Sequence, residues 1–470
     1  MENDILKVEN LSISFRGYKT FFQMGKGSPI EKMDLVLKRG EITVIVGQSG
    51  SGKSLVAHAI MGILPSNAEV SGKLFYQGNP LDEAGRQSLK KGEIVLIPQS
   101  VNYLDPLMTV GSQIKNLVHE GEPQALLEET LQRYGLAPET AGKYPFELSG
   151  GMARRVLISC AVVQNPELII ADEPTPGLDV DLVEETIHHL LELKQSGKSL
   201  LVITHDLHVA TEIADRIIFF SEGRTICEVG REQFAENPGF EGVHPYARKL
   251  FDALPEHRFV DLAETTSIDV PHTLSANHLS FSYDGKRNVL ENVDFAVSSG
   301  EIVGIAGKSG RGKTTLSRLL SGYLQPTDGS ITLDGKPIYD GKRRYNPVQL
   351  IVQHPEKAID PKWSMAKVLA EPGVVEEEVE QALGIRKEWL KRFPNELSGG
   401  ELQRFSIARA LNRHTRFLIA DESTTMFDAA TQAEIWQVIV EYVRCNNIGM
   451  IIISHDPALL KRLCDRVVSY

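Results

Sequence analysis

Two glycine-rich segments place a lysine and a hydroxyl side chain at a spacing that suits phosphate binding. They read GQSGSGKS at 47–54 and GKSGRGKT at 307–314, and each follows a predicted strand and opens a predicted helix. Glycine lets backbone N–H groups turn toward phosphate oxygens, and the positive end of the helix dipole favours negative charge there. Because the segment occurs twice in the same context, phosphate binding is favoured over ordinary glycine turns followed by surface lysines.

The lysine and the residue after it have separate tasks in such a loop. We predict that the lysine reaches the β- and γ-phosphates of a nucleotide and that the next hydroxyl binds Mg²⁺. The predicted set is Gly47, Ser49, Gly50, Gly52, Lys53 and Ser54 in the first copy, and Gly307, Ser309, Gly310, Gly312, Lys313 and Thr314 in the second.

Two apolar segments predicted as buried strands end in a pair of carboxylates, LIIADE at 168–173 and FLIADE at 417–422. Behind a phosphate-binding loop, the first carboxylate suits Mg²⁺, and the second suits a general base that activates water for attack on the γ-phosphate. The predicted metal ligands are Asp172 and Asp421, and the predicted bases are Glu173 and Glu422.

A histidine followed by aspartate ends one further apolar strand in each half of the chain. These residues are His205, after LLVIT, and His455, after MIIIS. A single histidine at a strand end is more often structural, but its recurrence at a matched position favours a catalytic role. We predict that each contacts the γ-phosphate and positions the attacking water.

The segment LSGG, at 148–151 and 397–400, is predicted to open a helix. In both copies its serine lies 23 residues before the first carboxylate of the pair. A serine and two glycines at a helix start form a second anion-binding surface, although one such segment alone would be an ordinary helix cap.

The motifs recur in the same order, which indicates that one long unit is duplicated. Lys313 follows Lys53 by 260 residues, and His455 follows His205 by 250. This period is too long for a solenoid repeat and indicates whole domains in tandem. We place the first domain at 1–250, a linker at 251–271 and the second domain at 272–470.

Each copy begins with β-rich sequence and continues with apolar strands that precede helices, which predicts an α/β fold. Between Gln99 and Leu148, and between Gln353 and Leu397, the sequence turns helical. The prediction is therefore two tandem P-loop NTPase domains, each with a β-rich ATP-binding core and an inserted helical subdomain.

Composition excludes several classes of protein. The 470 residues are 42% hydrophobic and 24% charged, with a net charge of −12, which excludes a disordered chain and argues against a nucleic-acid coat. No apolar run approaches the roughly 18 residues of a membrane span, and no signal core is visible, so we expect a soluble chain. Four scattered cysteines without a CxxC pair indicate a reduced intracellular protein without a structural metal site.

Taken together, these motifs resemble those of the ATP-binding cassette (ABC) ATPases over essentially the whole chain. The resemblance implies ATP hydrolysis with Mg²⁺ by a head-to-tail pair of cassettes, in which two ATP molecules lie between the cassettes. Each P-loop would face the LSGG segment of the other cassette. The residues that this adds to nucleotide binding are Ser149, Gly150, Gly151, Ser398, Gly399 and Gly400.

The resemblance also implies roles for residues outside these motifs. Gln99 and Gln353 match the family's Q-loop, which links the Mg²⁺ site to the helical subdomain, so they are assigned to the metal and to catalysis. Phe15 and Tyr283 fall where the family stacks an aromatic ring on adenine, although packing in the strand is an equal alternative for either. The D-loop aspartate of the family is matched by Asp179 and Asp428.

Two segments depart from the family pattern. The first LSGG is followed by MARR where the family usually has glutamine before the arginine, so Arg154 replaces a common residue. The second D-loop segment, STTMFD, is also unusual. Neither departure removes a catalytic group, so we expect two competent sites, equal or unequal in activity.

Two further segments, IPQSVNYLDPLMTVGSQI at 97–114 and HPYARKLFDALP at 244–255, resemble importers of peptides and nickel. The resemblance implies the energy-coupling ATPase subunit of an importer for peptides, nickel or metal–chelator complexes. Its expected partners are two membrane-spanning permease subunits and, through them, an extracytoplasmic substrate-binding protein. It would lie at the cytoplasmic face of the cell membrane, and no nucleic acid is expected as a partner.

Two alternatives stay open. A soluble tandem-cassette ATPase that acts on ribosomes typically has a longer, charged linker and a basic surface, whereas this linker is short and the net charge is −12. A fused ATPase of sugar importers tends to have one degraded site, whereas both sites look intact here. The sequence therefore favours the peptide or nickel importer and leaves its cargo open.

Overall fold

The computed structural model describes residues 3–20, 23–48, 50–82, 92–175, 180–237, 239–257, 259–260, 271–307, 310–338, 345–371, 373, 375–424 and 427–469, of which 16–20, 23–28 and 180–181 are described for the backbone alone. The chain divides into two compact units, Met1–Phe251 and Asp252–Tyr470. Each unit carries one copy of the motifs. The division falls at the start of the predicted linker, and residues 258 and 261–270 of that linker lie outside the described ranges.

The described part of the first unit contains the strands β1 (Asp4–Thr20), β2 (Gln23–Lys38), β3 (Ile42–Gly47), β4 (Ala68–Tyr76), β5 (Asn79–Pro80), β6 (Ile94–Ile97), β7 (Leu168–Asp172), β8 (Ser199–Thr204), β9 (Arg216–Ser221) and β10 (Arg224–Gly230). They form an antiparallel sheet of order β2-β1-β4-β5 and a second sheet of order β10-β9-β3-β8-β7-β6. In the second sheet, the neighbouring strands β9, β3, β8, β7 and β6 run parallel to one another. Strand β10 pairs antiparallel with β9 at the edge of this sheet.

The described helices of the first unit are α1 (Lys53–Met61), α2 (Val110–Asn116), α3 (Pro123–Arg133), α4 (Gly150–Val162), α5 (Val180–Gln195), α6 (Leu207–Ile213), α7 (Arg231–Glu236) and α8 (Pro245–Asp252), of which α8 ends one residue inside the second unit. Short 3₁₀ turns lie at Val101–Tyr103, Pro138–Gly142 and Pro145–Glu147.

Two separate apolar cores position the site in the first unit. The larger core joins Ile13 and Leu35 of the antiparallel sheet to Ile203 of the parallel sheet through Val56 and Ile60 of α1. Every side chain of β3, β7 and β8 is buried, as expected for central strands of a parallel sheet. A second core lies between α2, α3 and α4, which is the predicted helical subdomain.

The second unit repeats this plan. Its described strands are β11 (Thr273–Phe281), β12 (Leu290–Ser298), β13 (Ile302–Ala306), β14 (Asp328–Leu333), β15 (Lys336–Pro337), β16 (Val348–Ile351), β17 (Phe417–Asp421), β18 (Gly449–Ile453) and β19 (Arg466–Ser469). The antiparallel sheet has the order β12-β11-β14-β15, and the parallel sheet has the order β16-β17-β18-β13-β19.

The described helices of the second unit are α9 (Lys313–Leu320), α10 (Met365–Ala370), α11 (Glu377–Ala382), α12 (Gly399–Ala410), α13 (Ala429–Cys445) and α14 (Pro457–Leu463), with 3₁₀ turns at Pro355–Lys357, Lys387–Lys391 and Pro394–Glu396. The prediction of two α/β domains with a β-rich core and a helical subdomain is confirmed. Within the part of the chain that the structure describes, no helix is both long and apolar enough to cross a bilayer.

Candidate functional site

The first phosphate-binding loop joins the end of β3 to the start of α1. A Cβ atom at Gly47 would lie far inside the van der Waals contact distance from the Phe220 carbonyl oxygen on the neighbouring strand, so this position requires glycine. Gly52 has a φ of 97° and forms the N-terminal cap of α1, a conformation that glycine adopts without strain. The ammonium group of Lys53 donates to the carbonyl oxygens of Gly47, at 2.6 Å, and Gln48, at 2.8 Å.

The second loop has the same construction between β13 and α9. Gly312 caps α9 with a φ of 89°, and the Lys313 ammonium donates to the Gly307 carbonyl oxygen at 2.6 Å. The predicted residues Ser49 and Ser309 lie outside the described ranges. Positive φ angles are also found at Gly50 (77°) and Gly310 (79°).

A hydroxyl meets a buried carboxylate beside each loop. The Ser54 hydroxyl donates to Oδ1 of Asp172 at 3.0 Å. In the second unit Ser317, which motif reasoning missed, donates to Oδ2 of Asp421 at 3.0 Å. Burial raises the pKa of both aspartates, and Thr314 lowers the pKa of Asp421 by less than burial raises it.

These oxygens fit a magnesium ion. Mg²⁺ prefers carboxylate and hydroxyl oxygens, and it usually takes one or two carboxylates from the protein, with water and substrate phosphates completing its shell. Within the described ranges, no group of three or more His, Cys, Asp or Glu side chains could hold a metal alone. A magnesium ion bound by these oxygens would complete its shell with water and nucleotide phosphates.

The first predicted base lies one residue beyond β7. Glu173 has a φ of 47°, and its backbone N–H donates to the Ile203 carbonyl oxygen at 2.8 Å. Its carboxylate Oε2 lies 2.9 Å from Nδ1 of His205. Burial lowers the pKa of His205, but the hydrogen bond and the charge of Glu173 raise it more, so the net shift is upward.

The second predicted base is held by two partners. Glu422 has a φ of 46°; its Oε1 lies 3.5 Å from Nδ1 of His455, and its Oε2 accepts from the Gln353 amide at 2.9 Å. The hydrogen bond from His455 lowers the pKa of Glu422, and the same bond raises the pKa of His455. Gln99, the counterpart of Gln353, has an exposed side chain. A left-handed backbone at both glutamates is a strained conformation of the kind found at functional sites.

Both LSGG segments open a helix within their own unit. The Ser149 hydroxyl accepts from the Met152 N–H at 3.3 Å and caps α4. The Ser398 hydroxyl accepts from the Glu401 N–H at 3.2 Å, and the Glu401 carboxylate accepts from the Ser398 N–H at 2.8 Å. A Cβ at Gly151 would lie 2.9 Å from a methyl group of Leu182. Gly150 and Gly399 are the first residues of the two helices, and Gly400 follows Gly399.

The two candidate adenine-stacking rings have different surroundings. Phe15 is partly buried and packs against the apolar core of the first unit. Tyr283 is 61% exposed, its ring stands edge-on to Phe281 at 4.8 Å, and its hydroxyl lies 3.2 Å from that of Thr315. The surroundings of Phe15 favour packing, whereas those of Tyr283 leave room for a ligand.

The D-loop aspartate can be described in one unit. Asp428 is buried, caps α13 and accepts from the Thr431 N–H at 3.1 Å and the Thr431 hydroxyl at 2.9 Å. Asp179 lies outside the described ranges. The contacts of Asp428 with Thr431 are those of a helix cap.

Arg154 has contacts that motif reasoning did not foresee. It is 6% exposed, and its guanidinium donates to four carbonyl oxygens, those of Pro98 (2.8 Å), Gln99 (2.9 Å), Glu173 (2.6 Å) and Pro174 (3.1 Å). The sequence signalled this residue only as a departure from the family pattern.

The tail of the first unit also contacts the phosphate-binding loop. The backbone N–H of Gln48 donates to the hydroxyl of Tyr246 in α8 at 3.3 Å. That hydroxyl lies 3.4 Å from the Phe220 carbonyl oxygen. Tyr246 belongs to the segment at 244–255 that resembles importers in sequence, and nothing in that segment predicts this contact.

Comparisons with known proteins cover both units. The family model described as ABC transporter matches residues 30–176 and 290–425. The chain is 32% identical to the peptidoglycan transport ATP-binding protein YejF of Agrobacterium fabrum, over 99% of this chain and 90% of that protein. It is 30% identical to the glutathione import ATP-binding protein GsiA of Pectobacterium atrosepticum, over 99% of this chain and 84% of that protein.

Among solved structures, a protein described as RNase-L inhibitor superposes with a TM-score of 0.65 over 97% of this chain and 87% of its own. The identity is 23%, so this likeness shows the fold and nothing about function.

Proposed function

The chain belongs to the ABC transporter family, and from this premise we propose that it energises an importer of peptides, or of nickel or metal–chelator complexes, by hydrolysing ATP. Its cassettes are ATP-binding ATPases. The observation that carries the importer proposal is similarity over 99% of the chain to proteins named for peptidoglycan transport and glutathione import. Glutathione is a small peptide, which favours a peptide cargo.

Glu173 and Glu422 are proposed as the general bases. Each carboxylate would take a proton from the water that attacks the γ-phosphorus, so that ATP and water yield ADP, phosphate and a proton. The hydrogen bonds with His205 and His455 support this role because they fix the direction of the carboxylate. Gln353 adds a second donor to Glu422.

The loops and the buried aspartates are proposed to bind the nucleotide. Lys53 and Lys313 would move their ammonium groups from loop carbonyls to the β- and γ-phosphates. The hydroxyls of Ser54 and Thr314, with Asp172, Asp421 and the side chains of Gln99 and Gln353, would hold Mg²⁺, which neutralises phosphate charge in the transition state. Pairing of each LSGG serine with the nucleotide of the other cassette rests on the family resemblance alone.

We further propose that the chain works at the cytoplasmic face of the cell membrane. Two membrane-spanning permeases and a substrate-binding protein are the partners that an importer needs. The relatives named for import and transport support this proposal over the ribosomal alternative, because the RNase-L inhibitor likeness shows the fold alone. The two intact sets of site residues support it over a fused sugar-importer ATPase.

Genetic complementation tests the importer proposal. Cells lacking this chain should lose uptake of a labelled oligopeptide, and the native chain should restore it while Glu173→Gln with Glu422→Gln should not. The native chain should co-purify with permeases from solubilised membranes. Normal uptake of oligopeptides, nickel and metal–chelator complexes in the deletion strain, together with co-purification on ribosomes, would overturn the proposal.

A further inference from the structure

We propose that Arg154 is a positioning residue of the first ATP site, which holds the Q-loop and the backbone of the base at a fixed separation. The proposal rests on the assignment of Glu173 as the base of this site. It goes beyond that assignment because Arg154 lies outside the phosphate-binding, metal-binding and base residues of the site.

The contacts of Arg154 bridge two neighbouring strand ends. Strands β6 and β7 are adjacent and parallel, and the guanidinium donates to both residues that follow β6, Pro98 and Gln99. It also donates to Glu173 and Pro174, the two residues that follow β7. One rigid, planar group therefore joins the segment that carries the Q-loop glutamine to the segment that carries the base.

The second unit performs the same bridging with a neutral side chain. Gln403 follows Ser398 by five residues, as Arg154 follows Ser149. Its amide donates to the carbonyl oxygens of Val352, at 3.0 Å, and Ser423, at 2.8 Å. The bridge thus has four hydrogen bonds in the first unit and two in the second.

The bridge in the first unit also carries a charge. Burial lowers the pKa of the Arg154 guanidinium to about 10, so it stays protonated at neutral pH. A buried cation is costly unless polar groups replace its water, and the four carbonyl oxygens do so here. Removing the guanidinium would leave those oxygens without this donor and remove one of the contacts that hold the Glu173 backbone in its left-handed conformation.

The test compares Arg154→Gln, which installs the residue of the second unit, with Arg154→Lys and with Arg155→Gln as the matched control. Arg155 is the next residue, and its guanidinium pairs with the partly exposed Glu185 at 3.3 Å. ATP hydrolysis is measured on the full chain as kcat and KM per nucleotide-binding site, with sites counted by titration with a fluorescent ATP analogue.

With Glu422→Gln present, so that only the first base is active, Arg154→Gln should lower kcat about tenfold, as expected when a reacting group is misplaced. The KM for ATP should change less than about twofold, since the phosphate-binding loop is untouched. Arg154→Lys should be intermediate, and Arg155→Gln should change neither constant. With Glu173→Gln present instead, Arg154→Gln should have no effect.

Two results would show that Arg154 is only a structural residue. One is an unchanged kcat per site in Arg154→Gln. The other is a loss of activity that is fully explained by a smaller fraction of chains that bind ATP. If either single-glutamate background is too slow to measure, Arg154→Gln is compared with the native chain, and there the overall kcat should fall nearly twofold, because an impaired first site leaves little more than the contribution of the second. Persistent hydrolysis in Glu173→Gln with Glu422→Gln would instead overturn the assignment of the bases. Failure of the Arg154 proposal and failure of the base assignment therefore give different results.

Discussion

The carboxylate Oε2 of Glu173 lies 2.9 Å from Nδ1 of His205. In the second unit, the corresponding atoms of Glu422 and His455 are 3.5 Å apart, and the Gln353 amide donates to the other carboxylate oxygen. Each proposed base is thus oriented by a histidine, but its remaining support differs between the two units. The two proposed ATP sites are built from the same motifs and are not copies of each other.

Replacing both bases by glutamine should abolish turnover without abolishing ATP binding. Glutamine keeps the size and hydrogen-bonding capacity of glutamate but cannot accept a proton from water. Steady-state phosphate release by Glu173→Gln with Glu422→Gln should fall by about a hundredfold or more, while titration with a fluorescent ATP analogue should still show binding.

The matched control for this substitution is Glu167→Gln. Glu167 forms an exposed ion pair with Arg39 at 3.3 Å, and such pairs contribute little to stability. Its hydrolysis rate should equal that of the native chain. Native hydrolysis in the double variant would show that neither glutamate is a required base.

The histidine–glutamate pairs predict an ascending limb, in which activity rises with pH above 6.5 as the two histidines lose their protons. The pKa values of His205 and His455 are raised above 6.5, and that of Glu422 is lowered below 4.5. Glu422 and His455 are therefore both charged at pH values between the pKa of the carboxylate and the pKa of the histidine. This ion pair is lost as the pH falls through the lowered pKa of Glu422, and it is also lost as the pH rises through the raised pKa of His455. A carboxylate paired with an imidazolium is a weaker base, so kcat should rise as the histidines lose their protons above pH 6.5.

This limb is measured as kcat at saturating ATP and Mg²⁺ from about pH 6 to about pH 9. The variant His205→Gln with His455→Gln should be slower throughout and should lack the limb. An unchanged limb in that variant would assign it to another group.

Short-range patterns carried most of what the sequence could predict. The apolar strands that end at Asp172 and Asp421 are buried in the structure because a parallel sheet covered on both faces needs continuous apolar runs. The glycines before Lys53 and Lys313 adopt the positive φ angles that a tight loop requires. Such features depend on a few neighbouring residues, which a sequence displays directly.

Long-range contacts could not be predicted in this way. The acceptors of Arg154 come from segments 19 to 56 residues away, and only folding brings their strand ends together. Phe15 and Tyr283 occupy equivalent positions in sequence, yet Phe15 is partly buried against the apolar core of the first unit and Tyr283 is exposed. Aromatic residues occur both in packed cores and in binding sites. The sequence therefore cannot assign such a residue to one role, and the surrounding structure is needed to do so.

Truncation of the two rings should therefore have different effects. Tyr283→Ala should weaken ATP binding at one site about tenfold, since stacking of a base on an aromatic ring contributes about 1–3 kcal/mol, and it should hardly change the melting temperature because the ring is exposed. Phe15→Ala should lower the free energy of unfolding by about 2 kcal/mol through lost packing. Nucleotide titration and thermal denaturation measure the two effects, and Phe15→Leu controls for lost volume. If Phe15→Leu weakened ATP binding as much as Tyr283→Ala, Phe15 would belong to the adenine site.

Gly47 should tolerate no side chain. A Cβ atom there would overlap the Phe220 carbonyl oxygen, which belongs to a strand held in the sheet on both sides and cannot move alone. In Gly47→Ala the loop must shift, so the Lys53 ammonium and the loop N–H groups lose their positions, and ATP binding at the first site should be lost. Gly142→Ala is the matched control, because no atom lies within 4 Å of a Cβ at that glycine. Nucleotide titration should show one site lost in Gly47→Ala and both retained in Gly142→Ala; two intact sites in Gly47→Ala would mean that the loop does not need its close approach to β9.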